Sequence, residues 1–187
     1  MIPRLGSLLA AALLLAACSA GADPGAYQFV SPDGKTRLTY EPAERHRIGE
    51  VAGESVAEPG KRLDLADYAG NVVVLNIWAS WCPPCRVETY ELRKLADSTA
   101  GLPVRLLGID VRDGRDSAAD FVRNFQIGYP SIADPGQRVG LALRGIPLAA
   151  IPITVVVDRQ QRVAAVYIGQ VLASDVLPEI QRVAAEP

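Results

Sequence analysis

Seven consecutive residues, Val72-Val73-Val74-Leu75-Asn76-Ile77-Trp78, are β-favouring and, Asn76 apart, apolar; four residues further on, Cys82-Pro83-Pro84-Cys85 opens a stretch with helical spacing. A strand that is apolar on both sides must be covered on both sides, so it belongs in a sheet sandwiched between other layers. The rest of the chain supplies those layers. Pro83 to Ala100 reads as a helix stopped by Gly101-Leu102-Pro103, and Val104 to Ile109 as a second buried strand. Asp116 or Ser117 can cap a helix containing Phe121, Val122 and Phe125. A short strand near Pro130 to Ala133 and a short helix near Gln137 to Arg144 follow. Ile153 to Asp158 and Val163 to Ile168 form two strands joined by the polar turn Asp158-Arg159-Gln160-Gln161. Ser174 caps a last helix with Val176, Ile180 and Val183 on one stripe and Pro178 in or just beyond its first turn, where proline costs little. Helices alternating with buried strands predict an α/β fold: a central mixed sheet, helices on both faces and an antiparallel pair to close it.

The front of the chain is of a different kind. Met1 to Ala17 holds one charge, Arg4, and then an apolar run too short to span the roughly 30 Å of a bilayer core. That is the pattern of a secretory signal peptide. It ends Leu15-Ala16-Ala17-Cys18, which resembles the lipobox of bacterial lipoproteins, in which the cysteine receives lipid and becomes the mature N-terminus. The alternative is cleavage after Ala20-Gly21-Ala22, which would release a soluble product. Tyr27 to Val30 and Thr36 to Tyr40 alternate on either side of Pro32-Asp33-Gly34-Lys35, which predicts a hairpin. Glu41 to Gly60 is polar and without period, a linker over the surface in which the lone His46 is solvated. The chain thus divides into a signal peptide at 1–17, a tether with hairpin and linker at 18–60, and an α/β domain at 61–187. A length of 187 residues suits one domain plus such appendages. With 49% hydrophobic residues and a formal charge of −2, it is neither a disordered chain nor a nucleic-acid binder, which would carry a basic excess.

With Cys18 at the lipobox, the exported domain keeps one pair of thiols, Cys82 and Cys85. If Cys82 caps the helix, its sulfur meets free backbone N–H groups and the positive end of the helix dipole, which favour the thiolate that attacks disulfides. Pro83 and Pro84 then fill the first two helical positions and have no N–H, so the amide of Cys85 is the first donor able to reach the Cys82 sulfur. Fewer donors mean milder thiolate stabilisation, the condition of a reductant. Cys82 is read as the exposed attacking cysteine and Cys85 as the one that resolves the mixed disulfide. A structural staple is a weaker reading because so short a loop removes little entropy from the unfolded chain. Zinc would lack two ligands, and no metal or cofactor is expected.

Cys85, Glu88, Leu92 and Leu95 are spaced three, four and three apart, on one helical stripe with the apolar contacts. That turns Glu88 inwards, where burial raises its pKa and suits it to take the proton of Cys85. The other reading is a surface glutamate that complements the helix dipole. Pro152 starts a buried strand, where a cis bond would turn the backbone of Ile151 toward a ligand and a trans bond would make it an ordinary edge proline.

The stretch Asn76-Ile77-Trp78-Ala79-Ser80-Trp81-Cys82-Pro83-Pro84-Cys85-Arg86-Val87-Glu88 resembles the active-site segment of the thioredoxin fold, and within it the TlpA/ResA-type membrane-anchored thiol–disulfide oxidoreductases. Leu107-Gly108-Ile109-Asp110, Tyr129-Pro130-Ser131 and Pro152-x-Thr154-Val155-Val156-Val157-Asp158 match in the same order, over roughly residues 60 to 185. The resemblance implies a cis-proline at Pro152, an active-site acid at Glu88, substrate contact at Trp81, Pro83, Ile151 and Pro152, and an insertion between Asp110 and Pro152. Tyr90 stands where many members have a helix-kinking proline, and Ile153 where threonine is common. It further implies a lipid-anchored reductant on the outer face of the cell membrane, serving disulfides of proteins such as apocytochrome c and recharged by a membrane donor of the CcdA/DsbD type. Competing readings are a DsbA-like oxidant or isomerase, a thiol peroxidase, which the tight C-x-x-C suits poorly, and a non-catalytic assembly module.

Overall fold

A computed structural model describes residues 25–187; the signal peptide read at Met1–Ala17, the lipid site at Cys18 and the alternative cleavage after Ala22 lie outside the described residues. The strands are β1 (Arg37–Thr39), β2 (Ala52–Ser55), β3 (Arg62–Asp64), β4 (Val72–Trp78), β5 (Val104–Val111), β6 (Ser131–Asp134), β7 (Ile153–Val157) and β8 (Val163–Ile168). The helices are α1 (Pro83–Ser98), α2 (Arg115–Asn124), α3 (Val139–Ala142) and α4 (Ala173–Ala184). The strands form one sheet in the order β1-β8-β7-β4-β5-β6-β2-β3. β4, β5 and β6 run parallel, while β7 lies antiparallel to β4 and β8 to β7. This is the thioredoxin-like mixed sheet the sequence predicts.

All seven residues of β4 are buried, and their alternation explains why the run is continuously apolar. Val73, Leu75 and Ile77 face the layer containing Phe121 of α2 and Val139 of α3. Val72 and Val74 face Leu92 and Leu95 of α1 and Val176 and Ile180 of α4. Helices therefore cover both faces, each supplying apolar side chains that remove roughly 25 cal/mol of free energy per Å² taken from water. Asn76 is the polar exception in β4, buried opposite Thr154 of β7.

Helix starts differ in detail from the sequence reading. Gly114 rather than Asp116 or Ser117 precedes α2, and Leu172 rather than Ser174 precedes α4. Pro178 consequently sits inside α4, where its missing N–H leaves the carbonyl four residues back without a helical donor. α1 runs as one helix through Tyr90, which is exposed.

The predicted hairpin does not form. Tyr27 instead donates its N–H to the carbonyl of Arg47, and Phe29 to that of Arg144, both at 2.7 Å. β1 joins the far edge of the sheet, pairing with Ala165 to Tyr167 of β8. Two such short runs paired only with each other would bury almost nothing, whereas docking on existing edges buries Tyr27 to 2% exposure. A hairpin does exist, β2–β3, within and just after the segment read as linker; β2 also pairs antiparallel with β6. Gly53 weakens the β pattern of this segment but is needed there, because a Cβ would come within 2.6 Å of Ile132 Cγ2. Ile48, Val51 and Val56 of the same stretch lie in the main core. His46 is exposed, as read.

Arg45 fastens this extension to the rest. Its side chain is fully buried and donates to the Tyr40 carbonyl at 3.1 Å, to Asp158 Oδ2 at 3.2 Å and to both oxygens of Glu186 at 2.6 and 2.7 Å. Asp158 starts the turn between β7 and β8 and also accepts from Arg162 Nε at 2.8 Å.

Candidate active site

β4 ends at Trp78, and the chain turns through Ala79, Ser80 and Trp81 before Cys82 caps α1. With prolines at the first two helical positions, the amide of Cys85 is the N–H that reaches the Cys82 sulfur, at 3.3 Å. Cys82 and Cys85 are joined in a disulfide with Cα atoms 5.3 Å apart.

The two cysteines are equally covered, each 2% exposed, so the expectation of an exposed Cys82 does not hold for the disulfide form. Their surroundings still differ. Cys82 Sγ lies 3.8 Å from the carbonyl oxygen of Ile151, and the Ile151–Pro152 bond is cis. Ile151 is itself 8% exposed, and it is its backbone carbonyl that stands against the sulfur. Trp81 is 47% exposed beside the pair, and Pro83 is exposed at the start of α1. The guanidinium of Arg112 stacks 4.8 Å from the Trp81 ring, and the indole N–H donates to the Arg112 carbonyl at 3.2 Å.

Glu88 sits on the buried stripe of α1 with Cys85, Leu92 and Leu95. At 1% exposure it is inside the protein, where it accepts the Asn76 side-chain amide at 2.7 Å and the Val171 backbone N–H at 3.0 Å. Burial pushes its pKa up to about 7, against the pull of those two hydrogen bonds. A carboxyl that titrates near neutrality can hold or release a proton at the pH where thiols exchange. The Tyr129 hydroxyl, buried without a partner among the described residues, feels the same carboxylate; burial first and the Glu88 charge second push its pKa far up.

Several of these groups escape a reading of sequence by motif. Asn76 had a signal, as the one polar residue in an otherwise apolar strand. The Val171 amide had none, since a backbone donor leaves no trace in composition. Asp110 ends the matched stretch Leu107-Gly108-Ile109-Asp110 but nothing in that match gave it a role, and Asp113, which holds the Ser80–Trp81 loop, stands just beyond it without a recognisable spacing. Among the described residues no group of side chains is arranged to hold a metal ion.

Comparison with known proteins places this geometry among thiol–disulfide exchangers. Residues 50–166 match the AhpC/TSA family. The thiol:disulfide interchange protein DsbE of Vibrio cholerae is 31% identical over 176 residues, which are 91% of this chain and 84% of that protein. The thiol:disulfide interchange protein HelX of Rhodobacter capsulatus is 32% identical over 88% of both chains. A secreted thiol-disulfide isomerase from Corynebacterium glutamicum superposes with a TM-score of 0.80 at 40% identity, covering 87% of this chain and 99% of that one.

Proposed function

The chain belongs to the AhpC/TSA family, with thiol–disulfide oxidoreductases as its relatives, and we propose that its Cys82–Cys85 pair is the redox centre of an extracytoplasmic reductant of protein disulfides. Reduced Cys82 attacks the substrate disulfide as thiolate and forms a mixed disulfide. Cys85 then attacks Cys82, which frees the substrate as a second thiol and restores the Cys82–Cys85 bond. Two electrons pass to the substrate, and Glu88 takes the proton that Cys85 loses. Disulfides of proteins such as apocytochrome c are the proposed substrates, and a CcdA/DsbD-type membrane protein the proposed donor. Lipid on Cys18 would hold the protein at the outer face of the cell membrane, a reading carried by Leu15-Ala16-Ala17-Cys18. Among the described residues no helix is long and apolar enough to cross a membrane.

The observation that carries the direction is the single backbone N–H on the Cys82 sulfur. A thiolate with few donors is not specially stabilised, so the dithiol gives up its electrons readily. Redox titration against dithiothreitol should therefore yield a potential near that of thioredoxin, about −270 mV. A value at or above that of protein disulfide isomerase, about −180 mV, would make the protein an oxidant or isomerase instead. The name of the Corynebacterium glutamicum protein favours that second reading.

Glu88→Gln tests the proton acceptor. Resolution of the mixed disulfide should slow by about 10–100-fold and lose its pH dependence around neutrality, while the first attack changes less. The same variant should be the more stable protein in alkali. A carboxyl with its folded pKa raised to about 7 contributes full stability only below the unfolded value near 4.5, and that contribution is lost as pH rises through 7. Glutamine has no such loss, so its advantage should grow across that window to about 3 kcal/mol. Stopped-flow resolution rates and urea melts at pH 5 and pH 8 check both; an unchanged resolution profile would remove Glu88 from the mechanism.

A further inference from the structure

Behind the loop that carries Trp81 and Cys82 lies a group of acids that this reaction does not use. Asp110 of β5 is 2% exposed, and its Oδ1 has no hydrogen-bond partner among the described residues. Its neighbour is the carboxylate of Asp113. Asp113 accepts the backbone N–H of Ser80 at 2.6 Å and the Ser80 hydroxyl at 2.8 Å. The carbonyl of Ser80 is held in turn by Arg86, from inside α1, at 3.0 and 3.3 Å. With the Trp81 indole bonded to the Arg112 carbonyl, the 112–113 loop grips both residues that lead into Cys82.

Two carboxylates side by side, one of them buried, do not both ionise at neutral pH; the buried one keeps a proton. A proton on Asp110 gives it a donor to offer Asp113 and leaves the other lone pairs of Asp113 for Ser80. The remaining charges around the pair line one cavity of about 510 Å³ with it: Glu54 of β2, Arg115 of α2, Asp134 of β6 and Arg138. Arg115 is taken by Glu54 at 2.5 Å. Asp134 is taken by the backbone N–H groups of Arg138 and Val139. Arg138 is exposed. Burial, then the charges of Asp113 and Asp134, push the Asp110 pKa up to about 8.

We propose that Asp113 is a positioning residue for Cys82, acting through Ser80, and that a proton on Asp110 keeps Asp113 clamped in that role. Below about pH 8 the pair is satisfied and the loop is fixed. Above it, two adjacent anions repel, Asp113 withdraws and the Ser80 N–H loses its acceptor. The kinetic part rests on Cys82 being the sulfur attacked; the clamp itself does not.

In the disulfide form neither Cys82 nor Cys85 titrates, so the backbone amide resonance of Ser80 reads the clamp directly. Its shift should step near pH 8 in the wild type, keep that step in Glu88→Gln and lose it in Asp110→Asn, where an amide permanently replaces the protonated acid. The kinetic arm is reduction of the disulfide by dithiothreitol, taken as the ratio of variant to wild type at each pH so that ionisation of the reagent cancels. Asp113→Ala should be about 10–100-fold slower, the scale of a small misplacement of a reacting group. The Asp110→Asn ratio should climb several-fold between pH 7 and pH 9. Should Asp113→Ala fail to fold, Ser80→Ala removes the hydroxyl half of the grip and should still slow the reaction several-fold. A Ser80 amide without a step near pH 8, or a step untouched in Asp110→Asn, overturns the clamp. A normal step with variant rates within twofold of wild type overturns the positioning role. Misassigned cysteines would leave the step in place, which separates that failure from this one.

Discussion

Reduced Cys85→Ala protein should attack a disulfide once and then stop, held to its substrate through Cys82. In the native protein the resolving sulfur stands at bonding distance within one turn of helix, with the two Cα atoms 5.3 Å apart. Intramolecular attack of this kind carries effective concentrations that reach about 10⁵ M or more, against the millimolar thiol of a typical assay. Turnover should therefore fall by at least about 10³-fold, even though the first chemical step survives. A non-reducing gel should show a covalent adduct that dithiothreitol releases. Cys82→Ala should give no adduct at all, because Cys85 lies one turn inside α1 without the N-cap position that favours a thiolate. An adduct formed through Cys85 in that variant would reverse the roles of the two cysteines.

Arg45→Met should cost about 3–5 kcal/mol of stability, more than any surface ion pair of this protein could. The guanidinium is fully buried, and Asp158, with a side chain 2% exposed, would be left with Arg162 as its one remaining cation among the described residues. The Tyr40 carbonyl would lose its donor as well. Methionine fills the volume but none of these hydrogen bonds, so the loss is that of breaking a buried ion pair by removing one partner, even though Asp158 keeps Arg162 and two backbone N–H donors. Glu186→Gln serves as the comparison. Its side chain is 23% exposed and can turn to water, so its removal should cost about 1 kcal/mol. Urea unfolding of both variants at pH 7 measures the difference. If Arg45→Met melts within 1 kcal/mol of wild type, the extension is a loose appendage rather than a part of the fold.

That result would bear on what the sequence can reveal. β4, β5, β7 and β8 are legible because each buries both faces, which leaves an unbroken apolar run that other structures seldom produce. The placement of Cys82 at the N-cap is legible because the pair stands between a buried strand and a helical pattern, with two prolines in first-turn positions that need no intrahelical N–H. Glu88 is legible through its spacing from Cys85 and Leu92. β2 is not, because a four-residue strand containing Gly53 is specified by the Ile132 surface it lies on rather than by its own pattern. Tyr27 to Tyr40 misleads for the same reason. Alternation says that a run is half-buried and leaves open which edge buries it. Arg45 sits in a polar stretch, and only its distant partners at Asp158 and Glu186 show that it is interior.

Both edges of the sheet are completed by residues from the front of the chain. Leu38 pairs with Val166 at one margin, and Glu54 with Ala133 beside the other. As the polypeptide is made, β1 must wait for β8 until nearly the whole sequence has followed, and the β2–β3 hairpin must wait for β6 until residues 131–134 are made. Pairings so remote in sequence are slow to form, since a long loop has to close before any ladder rewards it. During that interval Cys82 and Cys85 are open to oxidation in the compartment proposed for them. The delay is harmless to connectivity: once Cys18 is set aside, two thiols can be joined within one chain in a single way. A protein that exchanges disulfides with others is thereby unable to scramble its own.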